Sequence, residues 1–262
     1  MADKSIYQQQ EQRVFGLIGY PLSHSFSKQY FNDKFQKEGR DDCRYEQFPI
    51  TSIIELKNVL EQNPHLAGLN VTIPYKEQVL AYLDEEDERV RQIGACNCIR
   101  IHQGKLKGFN TDAIGFEQSL KEQLLPQHNR ALVFGTGGAA KAVRFVLDHL
   151  GIDFMYVSRK PSFNSLSYEQ ITPSLLAGYP LLINTTPLGM YPNTTEAAPI
   201  PYNAITDRHY LYDLVYNPAM TLFLQKGKEQ GARVKNGYDM LVIQAEESWK
   251  IWNEPVLMCQ NR

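Results

Sequence analysis

The chain has 262 residues, of which 43% are hydrophobic and 21% are charged, and its formal net charge is −2. Scattered lysines and arginines argue against a nucleic-acid surface, and no apolar run approaches the roughly 20 residues of a membrane helix. The polar start and the dispersed cysteines, of which only Cys96 and Cys98 are close, favour a cytoplasmic protein with free thiols and no metal site. At this length we expect two modest domains, each with its own core.

The first part of the chain predicts a mixed α/β domain. Hydrophobic patterns favour helices and strands in turn, with strands at 14–18, 45–48 and 67–71 and helices at 27–38 and 52–62. The run LDEEDERVRQI at 83–93 begins acidic and ends basic, which suits a solvated helix. Residues 96–100 and 105–107 predict a hairpin that turns at 102–104.

After Asp112, predicted helices and strands alternate regularly. Helices are expected at 115–124, 139–150, 221–230 and 240–252, and strands at 131–134, 154–157, 181–183 and 210–214. Such alternation is typical of a parallel, doubly wound sheet.

The segment LVFGTGGAAKAV at 132–143 predicts a strand, a glycine turn and an alanine-rich helix. Gly135, Gly137 and Gly138 would let a pyrophosphate approach the helix N-terminus, and Ala140 stands where a third glycine is common. Many such turns contain glycine without binding a nucleotide, so the interpretation depends on the strand–turn–helix context. Because more than a hundred residues precede the turn, we predict an oxidoreductase with its substrate domain in front and its nucleotide domain behind.

The residues after the next predicted strand indicate which dinucleotide would bind. NAD-binding proteins usually carry an acidic residue here, about 20 residues beyond the first glycine. This chain has Ser158, Arg159 and Lys160 instead, and a cation attracts the 2′-phosphate of NADP. The sequence therefore favours NADP, the alternative being that these are ordinary basic residues of a surface loop.

Lys76, in NVTIPYK, and Asp112, in GFNTD, are the candidate acid–base residues. A lysine in a cleft can exchange a proton with an alcohol or ketone while a nicotinamide exchanges the hydride. Most lysines are merely solvated, and Asp112 could instead cap the following helix.

Three serines, Ser23, Ser25 and Ser27, lie in PLSHSFS directly before a predicted helix. Their hydroxyls could bind a substrate carboxylate, although helix capping would account for one of them. His24 invites comparison with a Ser–His hydrolase, but the chain has no G-x-S-x-G elbow, and we reject that class.

Eight segments in this order make the chain resemble the shikimate dehydrogenase family. They read GYPLSHSFSK, LNVTIPYK, GACN, GFNTD, GTGGAAKAV, INTTPLGM, YDLVYNP and NGYDMLVIQA. The resemblance covers nearly the whole chain and implies NADP-linked interconversion of 3-dehydroshikimate and shikimate, on the chorismate route to aromatic amino acids.

The resemblance also implies roles for individual residues. Lys76 and Asp112 would form the catalytic pair, with Lys76 donating the proton when the ketone is reduced. The implied substrate-binding residues are Ser25, Ser27, Thr72, Asn97, Tyr216 and Gln244. The implied cofactor-binding residues are Gly135, Thr136, Gly137, Gly138, Ala139, Ser158, Arg159, Lys160, Thr185 and Gly237.

The implied fold has an N-terminal α/β substrate domain and a C-terminal Rossmann-like NADP-binding domain with a cleft between them. The first would span 1–112, completed by a C-terminal helix at 240–262, and the second would span 113–239. We expect a small-molecule substrate, no nucleic-acid or membrane partner, and a monomer or homodimer.

Departures from the family pattern leave alternatives open. The 158–160 run lacks the further arginine of many NADP-specific members, Cys98 replaces a common threonine, and Tyr75 replaces a phenylalanine. One alternative is a quinate/shikimate dehydrogenase that also uses NAD, and another is a non-catalytic shikimate-binding regulatory module. The latter should lack Lys76 or Asp112, and the serine cluster and GFNTD argue against a folate-type dehydrogenase.

Overall fold

The computed structural model describes residues 12–22, 26–161 and 165–255. These residues form two compact units. The first contains the described residues up to Val90, Cys96–Phe109 and those from Ser248 onward, and the second contains Arg91–Ala95 and Asn110–Glu247.

The helices and strands follow one another in mixed order. Up to the end of the hairpin they are β1 (Arg13–Gly19), α1 (Phe26–Lys37), β2 (Cys43–Pro49), α2 (Leu56–Gln62), β3 (Leu66–Val71), β4 (Glu85–Glu86), α3 (Glu88–Ile93), β5 (Cys98–His102) and β6 (Lys105–Phe109). The remainder are α4 (Thr111–Lys121), β7 (Arg130–Phe134), α5 (Gly138–His149), β8 (Asp153–Val157), β9 (Ser165–Leu166), α6 (Pro173–Ala177), β10 (Leu181–Asn184), β11 (Tyr210–Asp213), α7 (Leu222–Glu229), β12 (Arg233–Lys235) and α8 (Tyr238–Asn253).

The first unit is built on a six-stranded mixed sheet in the order β2-β1-β3-β5-β6-β4. β1 is parallel to both β2 and β3, whereas β5 runs antiparallel to β3 and β6. Phe15 of β1 is fully buried and stacks on Trp252 with ring centroids 4.9 Å apart. This aromatic contact packs the last residues of α8 against the sheet, and aromatic pairs of this kind add to the stabilisation from area burial.

The hairpin prediction is confirmed by β5 and β6, whose turn places Gln103 and Gly104 at φ 49° and 75°. Positive φ at both central residues is the geometry that matches the twist of paired strands.

The predicted helix at 83–93 is wrong in its first half. Glu85 and Glu86 form a short strand beside β6, and the helix begins only at Glu88. The neighbouring aspartates act as local backbone acceptors, since Asp84 Oδ2 lies 2.7 Å from Leu106 N and Asp87 Oδ1 lies 2.8 Å from Val90 N. Aspartate side chains that bond to backbone N–H groups favour turns and helix starts over helix interiors.

The second unit is built on an entirely parallel sheet in the order β12-β11-β10-β7-β8-β9. Renumbered from β7, this is the 3-2-1-4-5-6 order of dinucleotide-binding folds, read from β9. Ala131 and Val133 of β7 pack into one core cluster, and Leu132 and Phe134 pack into another. Both faces of the sheet are therefore covered, as the predicted doubly wound α/β class requires.

Two negative findings apply to residues 12–22, 26–161 and 165–255. No helix there has the length and apolar character to cross a membrane. No group of three or more His, Cys, Asp or Glu side chains there is arranged to hold a metal ion.

Candidate functional site

The glycine turn after β7 lies where the strand order of the second sheet reverses. Gly135 has a φ of +104°, and a Cβ there would lie 2.7 Å from Thr185 Oγ1. Thr185 follows β10, the strand on the other side of this switch point, and its Oγ1 donates to Phe134 O at 2.7 Å. The two predicted cofactor residues Gly135 and Thr185 are thus brought together at the carboxyl ends of adjacent strands, where ligands bind in open parallel sheets.

Helix α5 begins with an N-terminus that no side chain caps. Gly137 is the N-cap residue without a side-chain hydrogen bond, and the first turn contains no acidic residue. A Cβ on Gly137 or Gly138 would meet no heavy atom within 4 Å, and Thr136 is exposed. Uncapped N–H groups at the positive end of a 12-residue helix are suited to a pyrophosphate. The residues present therefore fit a dinucleotide.

The basic loop after β8 is anchored at its first residue and exposed at the next two. Ser158 N donates to Leu166 O at 2.9 Å, and Ser158 Oγ accepts from Lys160 N at 3.2 Å. Arg159 and Lys160 are exposed to solvent. This leaves two cations close to the carboxyl end of β8, as the sequence predicted for a 2′-phosphate site.

In the first unit, Lys76 lies in a turn that is held on both sides. Cys96 N donates to Lys76 O at 2.8 Å, and Tyr75 N donates to Thr72 O at 2.9 Å. The Tyr75 hydroxyl donates to Ile50 O at 2.7 Å, which accounts for the extra oxygen relative to phenylalanine. Thr72 and Lys76 are both partly buried, so the turn presents them from a fixed backbone.

A buried hydrogen-bond chain runs from Ser27 to the predicted substrate residue Asn97. The Tyr45 hydroxyl donates to Asn70 Oδ1 at 2.8 Å, and Asn70 Nδ2 donates to Asn97 O at 3.3 Å. Burial raises the pKa of Tyr45 well above its usual value, and a side-chain hydrogen bond with Ser27 opposes that shift. Ser25, like Ser23 and His24, lies outside the described residues.

Asp112 lies in the first turn of α4 and is buried. The helix begins at Thr111, four residues earlier than predicted, and its N-cap is Asn110, whose Oδ1 accepts from Ala113 N at 3.1 Å. The alternative in which Asp112 caps this helix is therefore wrong. Gln244 of α8 lies beside the same turn, since Thr111 Oγ1 donates to Gln244 Oε1 at 3.4 Å.

The remaining predicted residues of the second unit lie after β11 and before α8. Tyr216 is partly buried, and burial raises its pKa. Gly237 N donates to Val215 O at 3.2 Å, next to Tyr216. A Cβ on Gly237 would lie 2.1 Å from Leu214 O, so this close backbone contact accepts only glycine.

Sequence reasoning missed the buried polar residues that connect these segments. Asn70 and Asp213 are 5% and 0% exposed, and each lies among apolar strand residues. The sequence signal for both residues is a polar side chain within a run of apolar strand residues. Such a side chain is buried, and a buried polar group requires hydrogen-bond partners.

The parallel sheet, its glycine turn and the basic loop define a dinucleotide-binding α/β protein. Residues 17–99 match the family model described as the shikimate dehydrogenase substrate binding domain. A shikimate dehydrogenase (NADP(+)) of Clostridium beijerinckii is 40% identical over 257 residues, which cover 92% of each chain. The chain belongs to the shikimate dehydrogenase family.

Solved structures agree with this assignment. The shikimate 5-dehydrogenase of Thermus thermophilus, in complex with NADP(H) and shikimate, is similar with a TM-score of 0.80, 31% identity, and coverage of 92% of this chain and 93% of that one. The ligand-free 5-ketofructose reductase of a Gluconobacter species is similar with a TM-score of 0.80, 27% identity and 93% coverage of both chains. Fold similarity alone therefore does not distinguish shikimate from other hydroxylated substrates.

Proposed function

We propose that this chain catalyses the NADP-linked interconversion of 3-dehydroshikimate and shikimate. The observation that carries the proposal is the uncapped glycine turn at the switch point, followed by Arg159 and Lys160, in a member of this family. The 40% identity to an NADP(+)-dependent relative and the NADP(H) and shikimate bound by the Thermus relative support it. In this proposal the second unit binds the cofactor.

A bound nicotinamide cofactor would supply the chemistry of hydride transfer, as donor in its reduced form, NADPH, and as acceptor in its oxidised form, NADP(+). When the ketone is reduced, the Lys76 ammonium donates a proton to the carbonyl oxygen, which becomes the hydroxyl of shikimate, and the reverse reaction returns the proton to Lys76. Asp112 is the second residue of the proposed acid–base pair. Its rigid place in the first turn of α4 limits the reorganisation that the reaction requires.

Hydroxyls and amides select the substrate. Ser25 and Ser27 bind its carboxylate, and Tyr216 contributes a further hydroxyl. Thr72, Asn97 and Gln244 bind the ring hydroxyls. Because these partners would be left unpaired by an analogue that lacks a hydroxyl, the site rejects such analogues.

The decisive measurement is a matrix of initial rates. Shikimate and quinate are each oxidised with NADP and with NAD, and 5-ketofructose is offered with NADPH. We expect turnover restricted to shikimate and NADP. Comparable rates with quinate or NAD would favour the relaxed quinate/shikimate enzyme, and reduction of 5-ketofructose alone would overturn the substrate assignment. Shikimate binding without turnover would indicate the regulatory module.

Lys76→Ala tests the chemical role, with Lys105→Ala at the exposed hairpin of the same unit as the matched control. Loss of a positioned general acid should lower kcat by about 100-fold or more. The Kd for NADP, followed by NADPH fluorescence, should stay within about twofold because Lys76 lies in the first unit. Equal rates for the two variants, or an equal loss of NADP binding in Lys76→Ala, would contradict the assigned role.

A further inference from the structure

Asp213, the last residue of β11, is a fully buried carboxylate with three neutral donors. Its Oδ1 accepts from Asn184 Nδ2 at 2.9 Å and from Val215 N at 3.0 Å, and its Oδ2 accepts from Thr221 Oγ1 at 2.6 Å. The donors come from the end of β10, from the segment after β11 and from the N-cap of α7. One side chain therefore joins three segments at the carboxyl edge of the sheet.

The Asn184 connection leads to the predicted cofactor loop. With its Nδ2 committed to Asp213, Asn184 presents Oδ1 to Thr186 N at 3.0 Å and to Thr186 Oγ1 at 2.6 Å. Thr186 Oγ1 in turn accepts from Leu188 N at 3.3 Å. The orientation of Asn184 thus fixes the backbone that carries Thr185 against the glycine turn.

The hydrogen bond from Val215 to Asp213 holds the segment that carries the predicted substrate-binding residue Tyr216. Val215 N is held by Asp213, and Val215 O accepts from Gly237 N at 3.2 Å. Leu214 N donates to Asn184 O at 2.9 Å, which joins this segment to the first connection. Tyr216 follows directly, so its backbone is set by the same network.

Burial disfavours the charged form of Asp213. Burial raises the pKa of Asp213 to about 6 from an ordinary value of 3.8. The folded state therefore binds this proton more tightly than the unfolded state, and stability falls as pH rises from about 4 to about 6. The hydrogen bonds from Thr221, Val215 and Asn184 favour the ionised form and offset part of the effect of burial.

We propose that Asp213 is a positioning residue that acts on both cofactor and substrate binding, by holding the loops that carry Thr185 and Tyr216 from one buried point. This inference rests on the function proposed above. In this proposal Asp213 contacts neither NADP nor the substrate. An asparagine would preserve the arrangement, since its Oδ1 accepts from Asn184 and Val215 and its amide N–H donates to a rotated Thr221 hydroxyl.

The test compares four variants in the full-length protein. In Asp213→Ala the KM values for NADP and for shikimate should each rise about tenfold, with kcat changed less than either, and Asp213→Asn should restore both to within about threefold. Asn184→Ala should weaken NADP binding about tenfold and leave the KM for shikimate within about twofold. Thr221→Val, which loses a hydrogen bond to the same carboxylate but leaves the bonds from Asn184 and Val215 in place, should change neither KM.

The Kd for the cofactor without substrate is measured by the fluorescence of NADPH. The effect of Asn184 on cofactor binding is therefore tested even if shikimate is not turned over. Such a failure would overturn the proposed function and not this inference. If Asp213→Ala does not fold, Asn184→Ala carries the test. Wild-type NADP affinity in Asn184→Ala would overturn the proposal, as would Asp213→Asn behaving like Asp213→Ala, or Thr221→Val raising both KM values.

Discussion

Gly115 of α4 lies close to the backbone of α8 in the second unit, and its replacement by alanine should affect both stability and catalysis. A Cβ at this position would lie 2.5 Å from Met240 O and 3.3 Å from Gln244 N. A comfortable C···O separation is about 3.3 Å, so the helices must shift by about 0.8 Å. Overpacking of this kind costs about 1–3 kcal/mol, and the better helix propensity of alanine returns about 1 kcal/mol. The net expectation is a loss of up to about 2 kcal/mol in the free energy of unfolding.

The same displacement should also lower the rate of the reaction. Gly115 lies one turn after Asp112, and the displaced helix carries Gln244. Because a misplacement of about 1 Å can cost about 100-fold in rate, we expect kcat/KM for shikimate to fall at least tenfold. The Kd for NADP should change less than kcat/KM, because the glycine turn and the basic loop are untouched and Gly237 is the only predicted cofactor-binding residue next to α8.

Gly227→Ala in α7 is the matched control, since its Cβ would lie 2.3 Å from Leu211 Cδ2 in the core of the same unit. Urea denaturation should show a similar loss of stability for the two variants, whereas initial rates under folding conditions should be reduced only in Gly115→Ala. Wild-type kcat/KM in Gly115→Ala would refute the reasoning, and so would an equal kinetic loss in Gly227→Ala.

Two further predictions address individual side chains. Arg159→Ala should raise the KM for NADP about 10- to 100-fold and leave the KM for NAD nearly unchanged, because the substitution removes charge-assisted hydrogen bonds to a 2′-phosphate. A parallel rise in the KM for NAD would contradict this role. The same rise in the KM for NADP in the exposed control Lys228→Ala would contradict it as well. Tyr45→Phe should lower the free energy of unfolding by about 1–3 kcal/mol, because it leaves the buried Asn70 Oδ1 without its donor. Urea denaturation measures this loss, with Tyr20→Phe as the control because the Tyr20 side chain is 51% exposed. Equal denaturation midpoints for the two variants would show that Asn70 finds another partner.

Helices and strands long enough to repeat their hydrophobic pattern were predictable, and shorter ones were not. α5 and α7 differ from their predicted bounds by a residue or two, because an amphipathic helix of two or three turns repeats its pattern. β4 and β9 contain two residues each and β12 contains three, which is too short for any alternation to appear. Their existence depends on neighbouring strands that lie elsewhere in the sequence.

The same distinction applies to the candidate site. Residues with unusual chemistry for their surroundings, such as Lys76 or the basic pair after β8, were visible as local patterns. Asn70 was not, because its role is defined by partners as distant as Ser248, 178 residues away, which accepts a hydrogen bond from Asn70 Nδ2 at 2.9 Å. A single sequence carries no direct signal for such a contact, and the buried network becomes visible only in the folded structure.

The glycines of the turn separate the requirements of the fold from those of a ligand. Gly135 is required by the backbone, since its φ is +104° and a Cβ would collide with Thr185. Gly137 and Gly138 have negative or extended backbone angles and open space where a Cβ would lie, so neither packing nor conformation demands glycine there. Their lack of a side chain is instead useful to a group that approaches the helix N-terminus from outside. The motif therefore contains one glycine that the fold requires, Gly135, and two that the fold does not require, Gly137 and Gly138. These two glycines are the strongest local argument that the turn binds a pyrophosphate.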